Sequence, residues 1–177
     1  MKAARVSLKR AWQYALVANL ALLLVILTSN VINMVYRGSI TSATPISALI
    51  VLIFVAVAIV FTSVLHFHCW LLLHLAFRRA TPGKAIGYLF IPFFNWYWVF
   101  PSFVYLAQGW SRAAQCEENK AKELRNVAIA IGVMFIPSIT GLFVPILIIC
   151  ALIFYSEIVK IAVSSPTVEK AEAGRRD

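Results

Sequence analysis

The residues best suited to chemistry in this sequence are three histidines in one run, "HFHCWLLLH": His66, His68 and His74. On an α-helix His66 and His74 project about 80° apart and roughly 12 Å along the axis, and His66 and His68 about 200° apart. No two of them can therefore share one metal ion. Paired axial ligation of a haem needs histidines on facing helices, and no other segment supplies one. What stays open is single ligation of a haem iron or a chlorophyll-type magnesium by His66 or His74, with Trp70 one turn from His66, or a site completed by another subunit. Against this stands the plainer role of a histidine packed and hydrogen-bonded inside a helical bundle, which the sequence favours. The expectation is no cofactor and no metal, with a haem or pigment as the alternative.

A second polar set is Asn19, Asn30 and Asn33, which fall within about 60° of one another around a helix. Buried amides of this kind hydrogen-bond across membrane helices for about 0.6 to 2 kcal/mol each, and polar glue in a bundle is the simpler reading. A hydrophilic path shared with Asn95 or the histidines is the other. A proton-coupled path would want an acidic residue at depth, and Glu157, with Lys160 three residues on, reads instead as an interfacial pair. The stretch "TPGKAIG" is not a phosphate loop, because Arg78 and Ala85 stand where a glycine and a Ser or Thr are required. With no nucleophile and base arrangement, paired carboxylates or dinucleotide fingerprint, no enzyme is expected.

The third candidate is "GYLFIPFFNWYWVFPS", Gly87 to Ser102. Ten of the eighteen residues from Tyr88 to Tyr105 are aromatic, out of 23 aromatics in the chain. Trp96, Tyr97 and Trp98 are consecutive and so point around a helix, as in an interfacial belt. Pro92 and Pro101 each remove a backbone donor, which membrane depth tolerates only where protein or water satisfies the freed groups. The face bearing Pro92 and Asn95 should therefore turn toward the protein or a partner. The functional reading is a contact platform for lipid, pigment or a neighbouring subunit, built from Pro92, Phe93, Phe94, Asn95, Trp96, Tyr97 and Trp98.

The elements that must hold these residues follow from composition. With 62% hydrophobic and 13% charged residues in 177, the chain lies far from soluble averages of about 45–50% and about 25%. Spans are expected at about 11–35, 46–77, 86–107 and 127–157, each long enough for a bilayer core of about 30 Å. The first apolar run is much longer than the roughly 7–15 residues of a secretory signal, so it reads as a retained span. A net charge of +9 would suggest nucleic acid in a soluble protein, but here Lys and Arg cluster at span ends, beside anionic headgroups. Cys69, Cys116 and Cys150 are scattered, without disulfide or zinc spacing.

Four basic residues precede the first span and only Arg37 follows it, which places the amino terminus in the cytoplasm. Thr81 and Pro82 read as an N-cap and first helical position. If 86–107 crosses, 11 basic residues lie inside and 5 outside, and the count is the same if it is re-entrant. A model in which 86–107 and 127–155 are both hairpins, the second turning at "PSITG", puts 15 inside and 1 outside. It leaves only about 15 Å of helix from Val127 to Ile136, so four crossings are preferred. The loop from Gln108 to Asn126 carries Glu118 and Lys122 at helical spacing and is expected to form a short solvated helix.

The segment "TPGKAIGYLFIPFFNWYW" resembles a set of small, functionally uncharacterised bacterial membrane proteins that share P-G-K-A followed by F-I-P-F-F-N-x-Y-W. Here the pattern is carried by Pro82 to Ala85, Phe90 to Asn95, Tyr97 and Trp98. The resemblance implies a bacterial inner-membrane location and brings no reaction. The expected fold is an all-α membrane protein: a bundle of four transmembrane helices over 1–163, the third kinked or partly re-entrant, and a disordered polar tail over 164–177. The expected function is that of a non-catalytic accessory or interaction subunit of a larger membrane assembly, its partners being lipids and other membrane subunits. A small transporter or lipid-handling protein is the alternative, and a pigment or haem carrier the third.

Overall fold

A computed structural model describes residues 2–35, 45–73, 75–91, 93–138 and 144–164. The expected tail, apart from its first residue, lies outside this set, as do His74, Pro92 and most of the expected turn at "PSITG". Among the described residues the chain is all-helical: α1 (Lys2–Val35), α2 (Pro45–Leu72), α3 (Pro82–Gly87), α4 (Phe94–Ala113), α5 (Glu118–Ser138) and α6 (Val144–Ser164), with 3-10 turns at Leu75–Phe77 and Tyr88–Phe90.

Three stretches are long and apolar enough to cross a bilayer: Val6–Asn30, Leu49–Leu72 and Val144–Ser164. The expected span 86–107 is divided between α3, a 3-10 turn and α4. The expected span 127–157 falls on two helices, and the charged stretch ahead of it is no short separate helix but the first half of α5. Glu118 and Lys122 do pair, at 2.6 Å. The local signals at α3 hold as well: Thr81 Oγ accepts from the Lys84 amide at 3.4 Å, and Pro82 opens the helix.

Leu8, Ala11, Ala15, Ala18 and Leu22 recur every three or four residues and form the buried face of α1. The three alanines let its backbone come close to its neighbours. Against it, α2 runs antiparallel: Asn19 Nδ2 donates to Thr62 Oγ1 at 2.9 Å, and Leu22 packs with Ala58. Two other helices run with α2 rather than against it. Ser102 of α4 and Tyr155 of α6 both bond His66. Further along, Gly109 of α4 meets Leu73, and at the other end Val144 and Ile148 of α6 pack with Phe54, Val55 and Ala58. Between them α5 runs the opposite way, with Gly132 on Phe100 and Lys120 near Glu157.

Since α4 is parallel to α2, the chain between them must double back. Residues 75–93 do so, and α4 begins eight residues before Ser102, about 12 Å back along the axis. That is level with Ala58, near the midpoint of α2.

The end of α2 lacks a glycine cap. Trp110 Nε1 donates to the Cys69 carbonyl at 3.2 Å, and the Arg78 guanidinium donates to the carbonyls of Leu71 and Leu73. These take up oxygens that the last helical turn leaves unpaired. At the end of α4 the amides of Gln115 and Cys116 return to the carbonyls of Arg112 and Ser111, a Schellman arrangement with Gln115 at φ 52°.

Two substitutions should move stability in opposite directions. A Cβ at Gly109 would stand 2.5 Å from Leu73 Cδ2 and 3.1 Å from the Phe77 carbonyl oxygen, so Gly109→Ala is expected to destabilise by about 1–3 kcal/mol. Gln115→Gly removes a left-handed conformation from a side-chain-bearing residue and should stabilise by about 0.5–1 kcal/mol. Thermal unfolding in mild detergent reads both.

Candidate functional site

The core at the Ser102 level is built around one imidazole. His66 is 1% exposed, Ser102 0% and Tyr155 2%. His66 Nδ1 lies 2.8 Å from Tyr155 Oη and Nε2 lies 2.8 Å from Ser102 Oγ. Trp70 Nε1, one turn along α2, donates to the same Nε2 at 3.1 Å. An indole N–H can only donate, so Nε2 is the acceptor and the ring proton sits on Nδ1, directed at the tyrosine oxygen. The Ser102 hydroxyl then donates to Nε2. Phe103 packs on the imidazole with ring centroids 4.8 Å apart, and Phe154 closes the cluster behind it.

A serine hydroxyl 2.8 Å from an imidazole is the pairing that activates nucleophiles, but this one has no open side, and the far nitrogen meets a phenol in place of a carboxylate. What the arrangement does is join three helices at one depth through one buried polar knot. In this packing both ring nitrogens of His66 are engaged by side chains. His68 Nδ1 is 2.8 Å from the Val64 carbonyl. Among the described residues no three His, Cys, Asp or Glu side chains come together.

The asparagine stripe separates along α1. Asn19 is buried and bonded both to Thr62 and to the Ala15 carbonyl, at 2.8 Å; Asn30 is exposed. Asn33 lies in the last turns of α1, its side chain outside the described ones.

The aromatic segment divides into two populations. Tyr88, Phe94 and Trp98 close on one another with ring centroids 5.0 to 5.9 Å apart, Phe94 remaining 39% exposed, and Trp98 Nε1 donates to the Ala85 carbonyl at 3.0 Å. This ties α3 to α4. Phe90, Phe93, Trp96 and Tyr97 face outward, Phe93 being 82% exposed. Phe93 also has φ 64° and ψ −43°, a left-handed backbone that side chains resist at a cost of about 1–3 kcal/mol. Asn95 is half-buried, and its Oδ1 has no hydrogen-bond partner among the described residues.

At the mouth of the hairpin Arg79 lies over the Tyr105 ring, 4.8 Å from its centroid. Partial burial lowers the pKa of the Arg78 guanidinium from its ordinary value. On the outer edge of α5 and α6, Glu157 pairs with Lys160 at 2.6 Å, as its spacing suggests, and with Lys120 at 3.6 Å.

Sequence reasoning placed Trp70 one turn from His66 but did not find Ser102 and Tyr155. They lie 36 and 89 residues from it, beyond any local periodicity.

All-helical among the described residues, with three helices long and apolar enough to cross a bilayer, the chain is a helical membrane protein. It matches no protein-family model, no curated protein and no solved structure.

The knot makes a specific forecast. Tyr155→Phe and Ser102→Ala should each lower stability by about 1–2 kcal/mol. His66→Leu should cost more, because it strands three donors or acceptors at once. Unfolding of each single and double variant in detergent gives the coupling energies, and additive effects would mean that the three side chains do not act together.

Proposed function

We propose that this protein is a non-catalytic subunit of a membrane assembly and that it works by contact through the hairpin between α2 and α4. The observation that carries this reading is the outward set of rings, Phe90, Phe93, Trp96 and Tyr97, on a hairpin whose inner rings and base are pinned to the bundle. Rings needed only for packing would face inward, as Phe103, Trp70 and Trp110 do. Rigid aromatics on a preorganised support are what interfaces use, since they offer large area at little cost in side-chain entropy. The left-handed Phe93 adds to this, because strain at an exposed position points to a function.

In the membrane placement that fits best, α1 and α2 cross the bacterial inner membrane with the amino terminus in the cytoplasm. Residues 75–113 and 118–164 enter as hairpins from that same side. The support is electrical: this arrangement leaves Arg37 as the single basic residue outside and 15 inside, whereas four crossings would leave 5 outside and 11 inside. The resemblance of residues 81–98 to small bacterial membrane proteins agrees with that location and adds no activity.

Purification of the tagged protein from its native membrane in mild detergent should bring down a stoichiometric membrane partner. The Phe93→Ser, Trp96→Ser, Tyr97→Ser triple variant should lose that partner at least about tenfold while keeping its helical content. A wild-type protein that emerges strictly monomeric and alone would sink the proposal. The placement has its own check: a cysteine at position 37 should react with an impermeant thiol reagent from outside the cell, and one at 115 only after the membrane is opened.

A further inference from the structure

Beyond the protein contact, we propose that the groove at the mouth of the hairpin is a binding site for an anionic phospholipid, whose phosphate lies between Arg79 and Lys84. The groove has a volume of about 490 Å³ and is lined by Arg78, Arg79, Thr81, Lys84, Tyr88 and Trp98. It opens where the apolar stretch of α2, Leu49–Leu72, gives way to charge, which is headgroup depth for a lipid lying along that helix. This inference rests on the chain being a membrane protein and needs no protein partner.

Three features give the groove its selectivity. First, its cations have no acid of their own nearby in sequence: the first Asp or Glu of the chain is Glu117, so nine Lys and Arg and no carboxylate occur before it. The ion pairs of the described residues join Lys120, Lys122 and Lys160 to Glu118 and Glu157, on α5 and α6.

Second, the three cations are held differently. Arg78 is committed to the carbonyls of Leu71 and Leu73. The Arg79 guanidinium lies over the Tyr105 ring, which occupies its flat face and leaves its edge N–H groups to meet phosphate oxygens. Lys84 is exposed, on the helix that forms the opposite wall.

Third, the lower wall is aromatic. Tyr88 and Trp98 stand ring to ring at 5.1 Å, and such rings pack against the glycerol and the first methylenes of a lipid chain. A zwitterionic lipid would bring a quaternary ammonium into this excess of positive charge, so the site favours a net negative headgroup.

The test is native mass spectrometry of the full-length protein in mild detergent, with dioleoyl phosphatidylglycerol or dioleoyl phosphatidylcholine added at equal concentration. Wild type should retain phosphatidylglycerol at least about fivefold better than phosphatidylcholine. Each basic residue removed should weaken retention of phosphatidylglycerol about fivefold, so Arg79→Gln with Lys84→Gln should erase the preference. Lys120→Gln with Lys122→Gln should leave it intact. If the groove double variant does not fold, Lys84→Gln alone, on an exposed side chain, still gives the single step.

The proposal is overturned if the groove variants keep wild-type retention or if both lipids bind equally. It is also overturned if about 10 mM inorganic phosphate displaces the lipid, which would make the groove a site for the free ion.

Discussion

An imidazole taken out of water has two nitrogens to satisfy, and the way His66 satisfies them governs the rest of this bundle. Its partners sit on α4 and α6 and have to reach it at one depth, beside Trp70 of its own helix. Both neighbours run in the same direction as α2. Helices that are parallel and nearly consecutive in sequence cannot be joined by a short turn, so the chain retraces its path twice. Residues 75–93 make one return, and α5 makes the other. The hairpin that carries the aromatic rings is thus a consequence of the polar knot as much as of its own prolines. Burial of an unpaired nitrogen or hydroxyl there would cost about 1–3 kcal/mol, which gives the arrangement its penalty for slipping.

Much of this was legible from the residues alone. Composition announces the bilayer, Thr81 and Pro82 announce α3, and the pairs Glu118 with Lys122 and Glu157 with Lys160 follow from helical spacing. The expected span 86–107 is interrupted at its start, between α3 and α4, whereas Pro101 lies inside the continuous α4. The continuity of α5 was hidden, because a helix whose first half is charged and whose second half is apolar looks like a loop followed by a span. His66 stood out as a polar residue at depth, and the sequence favoured a packed role for it without naming its partners on other helices. Those partners are two hydroxyls in distant segments, and three-dimensional proximity of that kind leaves no periodic trace.

The aromatic segment shows how one run of similar residues can divide its work. Three rings close on each other, Phe94 and Trp98 one helical turn apart and Tyr88 reaching across from the other arm. Trp96 and Tyr97 are left facing out because a helix cannot bury every side of itself against a single neighbour. A belt of rings read only as membrane-interface composition would miss that distinction.

Packing across the bundle is uneven from end to end. Around His66 the core draws on α1, α2, α4, α5 and α6, but the smaller cluster of Leu22, Ala58 and Ile148 involves only α1, α2 and α6. Fewer packed elements hold the Leu22 level than the His66 level among the described side chains. Local opening of the fold should therefore start at the Leu22 end and reach the imidazole last, so that amide exchange would run as a gradient along α1 and α2.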